Sequence, residues 1–199
     1  MKILVVNNAE PHDRDYNAPL IDAVSSFAET DVVEYDELPD MQNSIAEYGG
    51  VILSGVPVHY DYDTIDARLP YLQWIQEVQV PILGICLGHE NIGRLHGAEI
   101  IRDIEAEDGL QPLQILNDDP LFRDIPVGAK VFASHRASIS VPNSFSVLAS
   151  TTTCQNQVMR HASRDIYGLQ FHPELSETGI KMLGNFAKIA AAHASVPTH

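Results

Sequence analysis

Apolar and polar positions repeat with two periods along this chain. Lys2–Asn7 is an apolar run of strand length. In Asp15–Phe27 the apolar residues Ala18, Leu20, Ile21, Val24 and Phe27 recur at helical spacing, which predicts a helix. Asp31–Tyr35 reads as a second strand. Glu37–Glu47 is polar and mixed, a loop with a short helix. Gly49–Gly55 is a third strand ending in small residues. Tyr60–Thr64 is acidic and aromatic, a surface loop. Ile65–Val78, which holds Trp74, reads as a helix leading into the apolar, β-branched run Val80–Ile85, a short buried strand. Leu87–Leu95 follows as another helix. Such β-α-β-β-α-β alternation predicts a mostly parallel sheet with helices on both faces, whose sites lie at the carboxyl ends of the strands.

Beyond residue 95 the pattern changes. Ala98–Ile101, Gln111–Leu116, Lys130–Ser134, Ser138–Val141, Ser146–Ala149, Gln157–His161 and Ile166–Phe171 are short strand-like runs separated by Asn, Asp, Gly and Pro. Close spacing of this kind predicts antiparallel additions to the sheet. Leu175–Ala192 reads as a final amphipathic helix, with Ser176 or Thr178 as its cap, and Val196–His199 as a frayed tail. With 199 residues, no internal repeat and no low-complexity linker, residues 1–199 are expected to form one domain.

Charge narrows the function. Twelve basic residues stand against 27 acidic ones, a formal charge of −15, which argues against nucleic-acid phosphate as a partner. No apolar run approaches the roughly 18 residues a membrane span needs. Two cysteines, Cys86 and Cys154, are too few for a disulfide framework, so a reducing, cytoplasmic setting is expected.

The candidate chemistry sits in two stretches. Gly84-Ile-Cys-Leu-Gly88 is a nucleophile flanked by small residues at a strand-to-helix turn. A sharp turn of this kind needs small neighbours, because the nucleophile takes a strained backbone conformation there. The N-terminal amides of the following helix favour a thiolate and can donate to a developing oxyanion. In Tyr167-Gly-Leu-Gln-Phe-His-Pro-Glu174, His172 and Glu174 are two apart in extended chain and share a face. A cysteine, a histidine base and a carboxylate orienting that base are what thiol acyl transfer requires. Cys154 lacks both elbow and neighbouring base, and reads as buried and inert. His59 reads as a solvated loop residue. His89 and His96 share a helix face without a third metal ligand, so no metal site is expected. Asp118-Asp119-Pro120 reads as a turn.

Together the two stretches resemble the class I (triad) glutamine amidotransferases, over most of the chain. Ser134-His135, Val147–Ser150, Cys154, Met159–His161 and the 167–174 stretch run in the order seen in the glutaminase part of the GMP synthase branch. The resemblance implies a flavodoxin-like, three-layer α/β fold with short antiparallel strands in its C-terminal half. It implies Cys86 as nucleophile, His172 as base and Glu174 as orienter, with no cofactor. The Leu87 backbone and the Gly55-Val56 turn would form the oxyanion hole, and Ser134-His135 would meet the α-amino and α-carboxylate groups of glutamine.

Three positions depart from that pattern. Val56 stands where the family usually has a second Gly, Glu90 where it has Gln, and Arg136 where the branch has small or acidic residues. If residue 56 needed positive φ, a β-branched side chain would be costly there. A carboxylate at 90 only accepts hydrogen bonds; it would repel a substrate carboxylate unless Arg94 or Arg136 paired with it. The sequence shows no phosphate-binding loop, so no synthetase half is expected in it. Three readings follow. The chain is a glutaminase feeding ammonia to a separate synthetase subunit. Otherwise it is a free-standing hydrolase of other γ-glutamyl amides or peptides, or a regulatory homologue without turnover.

Overall fold

The computed structural model describes residues 1–41, 44–102 and 104–195. The tail expected at Val196–His199 lies outside them. The first half supplies strands β1 (Lys2–Asn7), β2 (Glu29–Glu34), β3 (Gly50–Leu53) and β4 (Ile82–Ile85). Its helices are α1 (Ala18–Ser25), α2 (Leu38–Met41), α3 (Tyr62–Asp66) and α4 (Leu87–Leu95). The second half adds β5 (Ile100–Ile101), β6 (Glu107–Pro112), β7 (Gln114–Ile115), β8 (Lys130–His135) and β9 (Ser138–Ile139). β10 (Phe145–Ser150), β11 (Val158–His161), β12 (Ile166–Leu169) and α5 (Glu177–Ala194) complete it.

Eight strands form one sheet in the order β2-β1-β3-β4-β12-β11-β10-β7. The first five pair in parallel and the last three add antiparallel. Two-stranded pairs β5-β9 and β6-β8 sit beside it. The parallel strands are apolar on both faces because both are covered. Ile3, Val5, Ile52, Leu83, Ile85, Tyr167 and Leu169 pack on one side with α1 and α5. Their neighbours Leu4, Val6, Val51, Leu53, Ile82 and Ile166 face the other side, against Leu72, Trp74, Ile75 and Ile92. This is the alternation that a period of two dictates.

Four elements differ from the sequence expectation. The run Ile166–Phe171, expected as an antiparallel addition, is β12, which pairs in parallel with β4 inside the sheet and antiparallel only with β11. The helix expected over Asp15–Phe27 is α only from Ala18; Pro11–Asn17 is 3-10. The helix expected over Ile65–Val78 splits into α3, which begins at Tyr62 with Asp61 capping Thr64 N–H, and a 3-10 stretch Leu69–Gln76. Pro70 has no N–H and its ring obstructs the preceding turn, so the α-helix stops before it. The strand expected over Gln111–Leu116 breaks at Leu113, which buries its side chain between β6 and β7. By contrast α4 has the expected bounds, and Ser176 Oγ caps α5 by accepting from Gly179 N–H at 3.1 Å.

Candidate active site at the carboxyl ends of β1, β3, β4 and β12

Cys86 is the N-cap of α4 and adopts φ 50°, ψ −104°. Among the described non-glycine residues only it and Asp124 have positive φ. The flanking glycines make this turn fit. A Cβ on Gly84 would lie 2.4 Å from the Gly88 carbonyl oxygen, and one on Gly88 would lie 2.4 Å from that of Leu53. Backbone therefore packs on backbone across the elbow, which no larger residue permits. The Cys86 N–H is held by the Leu169 carbonyl at 2.8 Å, tying the elbow to β12.

Three residues past β12, His172 is buried. Its N–H donates to the Phe132 carbonyl of β8 at 2.8 Å. Its Nδ1 meets Glu174 Oε1 at 2.9 Å, both side chains being almost wholly buried. A Cβ on Gly55 would touch both His172 Cε1 (3.0 Å) and Cys86 Cβ (3.2 Å), so this glycine marks the narrow space where the two meet. Burial alone would depress the His172 pKa. Attraction to the Cys86 sulfur and the Glu174 carboxylate outweighs it and raises the value to about 10, so the imidazolium is favoured. Tyr16 stands edge-on to the His172 ring, with centroids 6.4 Å apart. Burial and the charges of Cys86 and Glu174 push its phenol pKa up.

The Gly55-Val56 turn is pinned from β1. Asn8 N–H donates to Ser54 Oγ (2.9 Å) and Asn8 Nδ2 to the Ser54 carbonyl (2.7 Å). Asn17 Nδ2 and Ser54 Oγ both donate to the Gly55 carbonyl. Val56 does not have positive φ, so its β-branched side chain carries no left-handed strain. Among the described residues, neither the Val56 nor the Leu87 N–H has a hydrogen-bond acceptor. Both residues line a cavity of about 200 Å³ together with Cys86, Glu90, Ser134, His135 and Arg136. Two free backbone donors beside a nucleophile can stabilise an oxyanion.

Every site residue named from the sequence falls in or beside this cavity, but two act differently from expectation. His135 does not present a free ring: Nε2 meets Glu107 Oε2 at 2.9 Å and Nδ1 meets the Ala137 carbonyl at 3.0 Å. Glu107 is itself buried and accepts from Thr151, Thr153 and Gln157. Burial opposes its ionisation, yet these donors and His135 hold its pKa below the usual value. His135 therefore braces the β6-β8 wall through both ring nitrogens while it lines the cavity beside Ser134 and Arg136.

Glu90 is the second. Neither arginine proposed as its partner forms an ion pair with it. Arg94 pairs with Asp66 at 2.7 Å, and Arg136 is exposed with no ion pair among the described residues. Glu90 Oε1 instead accepts from Gln170 Nε2 at 3.2 Å. Burial pushes its carboxyl pKa up, against weaker opposing effects of Gln170, His135 and Arg94, so the neutral acid is favoured.

Sequence reasoning missed Tyr16, Asn8, Asn17, Glu107 and Gln170. Gln170 lies within the 167–174 stretch but was given no role there; the others lie outside the two motifs, although the polar Asn7-Asn8 pair directly after a buried strand is the sort of signal that marks a site. Cys154 is buried beside Ser138, with burial raising its thiol pKa to about 11. Asp119 caps the turn Pro120–Phe122 and pairs with Arg160. His89 is fully buried under Gly168, and burial lowers its pKa to about 3, leaving a neutral imidazole.

The profile of the family described as "Glutamine amidotransferase class-I" matches residues 14–190. The chain belongs to this family. Among curated relatives, a subunit of the glutamine-hydrolyzing GMP synthase of Pyrococcus furiosus is 38% identical over 143 residues, 70% of this chain and 74% of that protein. Its counterpart in Methanosphaera stadtmanae is 32% identical over 195 residues, 95% of this chain and 98% of that protein. Among solved structures, a Thermoplasma acidophilum protein provisionally assigned to the same subunit of GMP synthase superposes with a TM-score of 0.85 at 27% identity, covering 96% of this chain and 94% of that one. A glutamine amidotransferase of Thermotoga maritima shares the fold, with a TM-score of 0.68 at 21% identity over 87% of this chain and 76% of that one. This amidotransferase thus has the mostly parallel sheet and the enzyme class that its elbow pointed to. No helix among the described residues is long and apolar enough to cross a membrane.

Proposed function

We propose that the chain hydrolyses the γ-amide of glutamine through a Cys86-His172-Glu174 triad and passes the ammonia to a separate synthetase chain of the GMP synthase type. The observation that carries this is the positive-φ Cys86 at the head of α4, with His172 beside it and Glu174 at 2.9 Å from Nδ1. In this reading Cys86 Sγ attacks the amide carbon while the Val56 and Leu87 N–H groups receive the negative oxygen. His172 donates a proton to the departing nitrogen, which leaves as ammonia, and a γ-glutamyl thioester remains on Cys86. Water then attacks the thioester as His172 takes its proton, and glutamate and the free thiol are released. Glu174 holds the imidazole in the orientation both steps need. The relatives are named as one subunit of a glutamine-hydrolyzing GMP synthase, which supports a partner chain as ammonia acceptor.

Arg136 decides between substrates. Its guanidinium has no ion pair among the described residues and lines the same cavity as Cys86, so it is free to take an α-carboxylate. Burial holds the Glu90 carboxyl pKa up, which lessens its repulsion of that carboxylate relative to an exposed glutamate. Free glutamine is therefore preferred over γ-glutamyl groups whose carboxylate is masked. The test is labelling with a diazo-ketone analogue of glutamine followed by peptide mass spectrometry. One adduct is expected, on the Cys86 peptide, protected by excess glutamine, and Cys154→Ser should label as the wild type does. An adduct on Cys154, or none, would reject the site.

A further inference from the structure

Next to the chain segments that carry Tyr16, Val58 and Tyr60, three side chains converge within ion-pair distance. His59 Nε2 lies 3.2 Å and His12 Nε2 3.4 Å from Asp13 Oδ2. All three ligand atoms lie within 4.8 Å of each other. Asp13 Oδ2 is buried, yet it accepts no hydrogen bond. Neither imidazole is aligned to donate to it, although both nitrogens are at hydrogen-bonding distance. Three potential ligand atoms this close together, two imidazole nitrogens and a carboxylate oxygen, are spaced as they would be around one ion.

The spacing fits a particular kind of ion. A cation that binds imidazole nitrogen and carboxylate oxygen at about 2.0–2.1 Å in a tetrahedron keeps its ligand atoms about 3.3 Å apart. Two imidazoles and one carboxylate suit zinc and its divalent transition-metal neighbours, and not calcium or magnesium, which prefer all-oxygen sets. The surroundings hold the ligands in place. Tyr60 packs edge-on against His59 (5.0 Å) and tilted against His12 (6.4 Å), and its hydroxyl accepts the Glu10 N–H at 2.8 Å. The formal charge of −15 raises the local concentration of any cation.

We propose that His12, Asp13 and His59 form a binding site for a zinc-class divalent cation, with water in the remaining position. The ion joins the 3-10 segment Pro11–Asn17 to the loop that carries Val58 and Tyr60. Tyr16 of the first segment stands against His172, and Val58 and Tyr60 of the second line the cavity. Occupancy therefore cross-links the two segments that frame its entrance. The site stands apart from the proposed triad, and its test does not depend on turnover.

The experiment is titration of the metal-free full chain with Co²⁺, followed by its visible d–d bands, and with Zn²⁺ in competition with a chromophoric chelator. One ion per chain is expected, with the intensity of a tetrahedral cobalt site. His12→Gln and His59→Gln, both at exposed positions, should each weaken binding at least tenfold while leaving the circular-dichroism spectrum intact. Cys86→Ser should leave it unchanged. Amide exchange in residues 11–17 and 56–61 should slow when zinc is added. Absence of binding at 100 micromolar metal (~0.1 mM, far above the affinity such sites reach) overturns the proposal. So does binding that survives both His→Gln changes or is lost in Cys86→Ser.

Discussion

Gly55→Ala tests whether the proposed catalytic pair depends on the close approach seen at the end of β3. The added methyl would lie 3.0 Å from His172 Cε1 and 3.2 Å from Cys86 Cβ, where ordinary contact begins at 3.4 Å. The neighbours must together yield about 0.2–0.4 Å. His172 has little freedom to do so, because Glu174 holds its Nδ1 at 2.9 Å and the Phe132 carbonyl holds its N–H at 2.8 Å. Cys86 is fixed by the elbow and by Leu169. A misplacement of about 1 Å at a reacting centre costs about a hundredfold in rate. Several tenths should therefore cost roughly tenfold, about 1.4 kcal/mol of barrier. Stability should hardly move, because Gly55 does not have positive φ and restricting the unfolded chain contributes about 0.4–1 kcal/mol to offset the crowding. Glutaminase kinetics should show a lowered kcat with little change in KM, and thermal unfolding should stay within a few degrees (~1 kcal/mol moves Tm about 2–4 °C at this size). A folded variant with wild-type kcat/KM would refute the idea that this contact sets the geometry of the pair.

Arg136→Ala should raise KM for glutamine by about tenfold or more, the worth of a charged hydrogen bond of about 1.5–3 kcal/mol, and leave a carboxyl-blocked analogue unaffected; equal losses on both substrates would remove Arg136 from substrate reading. Glu90→Gln should change glutamine kcat/KM least at the low end of the pH range, because burial shifts the wild-type carboxyl toward the neutral acid, which can donate as well as accept. As pH rises through the Glu90 ionisation only the wild type should lose activity relative to the variant, and a pH-independent ratio would show that the charge state of residue 90 is irrelevant. His89 is held neutral with a folded pKa near 3 against about 6.5 unfolded. The unfolded chain therefore binds the extra proton between those values, and stability is full above about pH 6.5 and falls as pH drops toward 3, by at most about 1.4 kcal/mol per pH unit. Urea unfolding of wild type and His89→Leu from pH 7 to 4 should show a shallower acid slope in the variant, and parallel slopes would show that His89 does not set the acid limit.

Local pattern alone was enough for strands β1 to β4, the bounds of α4, the Cys86 elbow and a cap of α5 narrowed to Ser176 or Thr178. In each, the cause is short-range: alternating side chains on a strand, a hydroxyl three residues from the amide it caps, two glycines around one turn. But local pattern set Ile166–Phe171 among the antiparallel additions, whereas β12 pairs in parallel with β4. The closeness of His172 and Glu174 was expected from their spacing, but the reason differs: the chain is not extended past His172, and Glu174 meets the ring from the 3-10 turn Pro173–Leu175 that follows it. What binds Glu90 was not legible. Arg94 is four residues away on the same helix, but Asp66 occupies it, and the true partner, Gln170, comes from the strand beside it, 80 residues later. His135 likewise reads as a substrate contact until Glu107, Thr151 and Gln157 are brought against it from other strands. Tyr16 and the His12-Asp13-His59 cluster arise only where the chain after β1 passes the chain after β3. Sequence periodicity reports which side of its own element a residue occupies. Burial, charge state and partners depend on which other elements are folded against that side, and only the tertiary structure decided those.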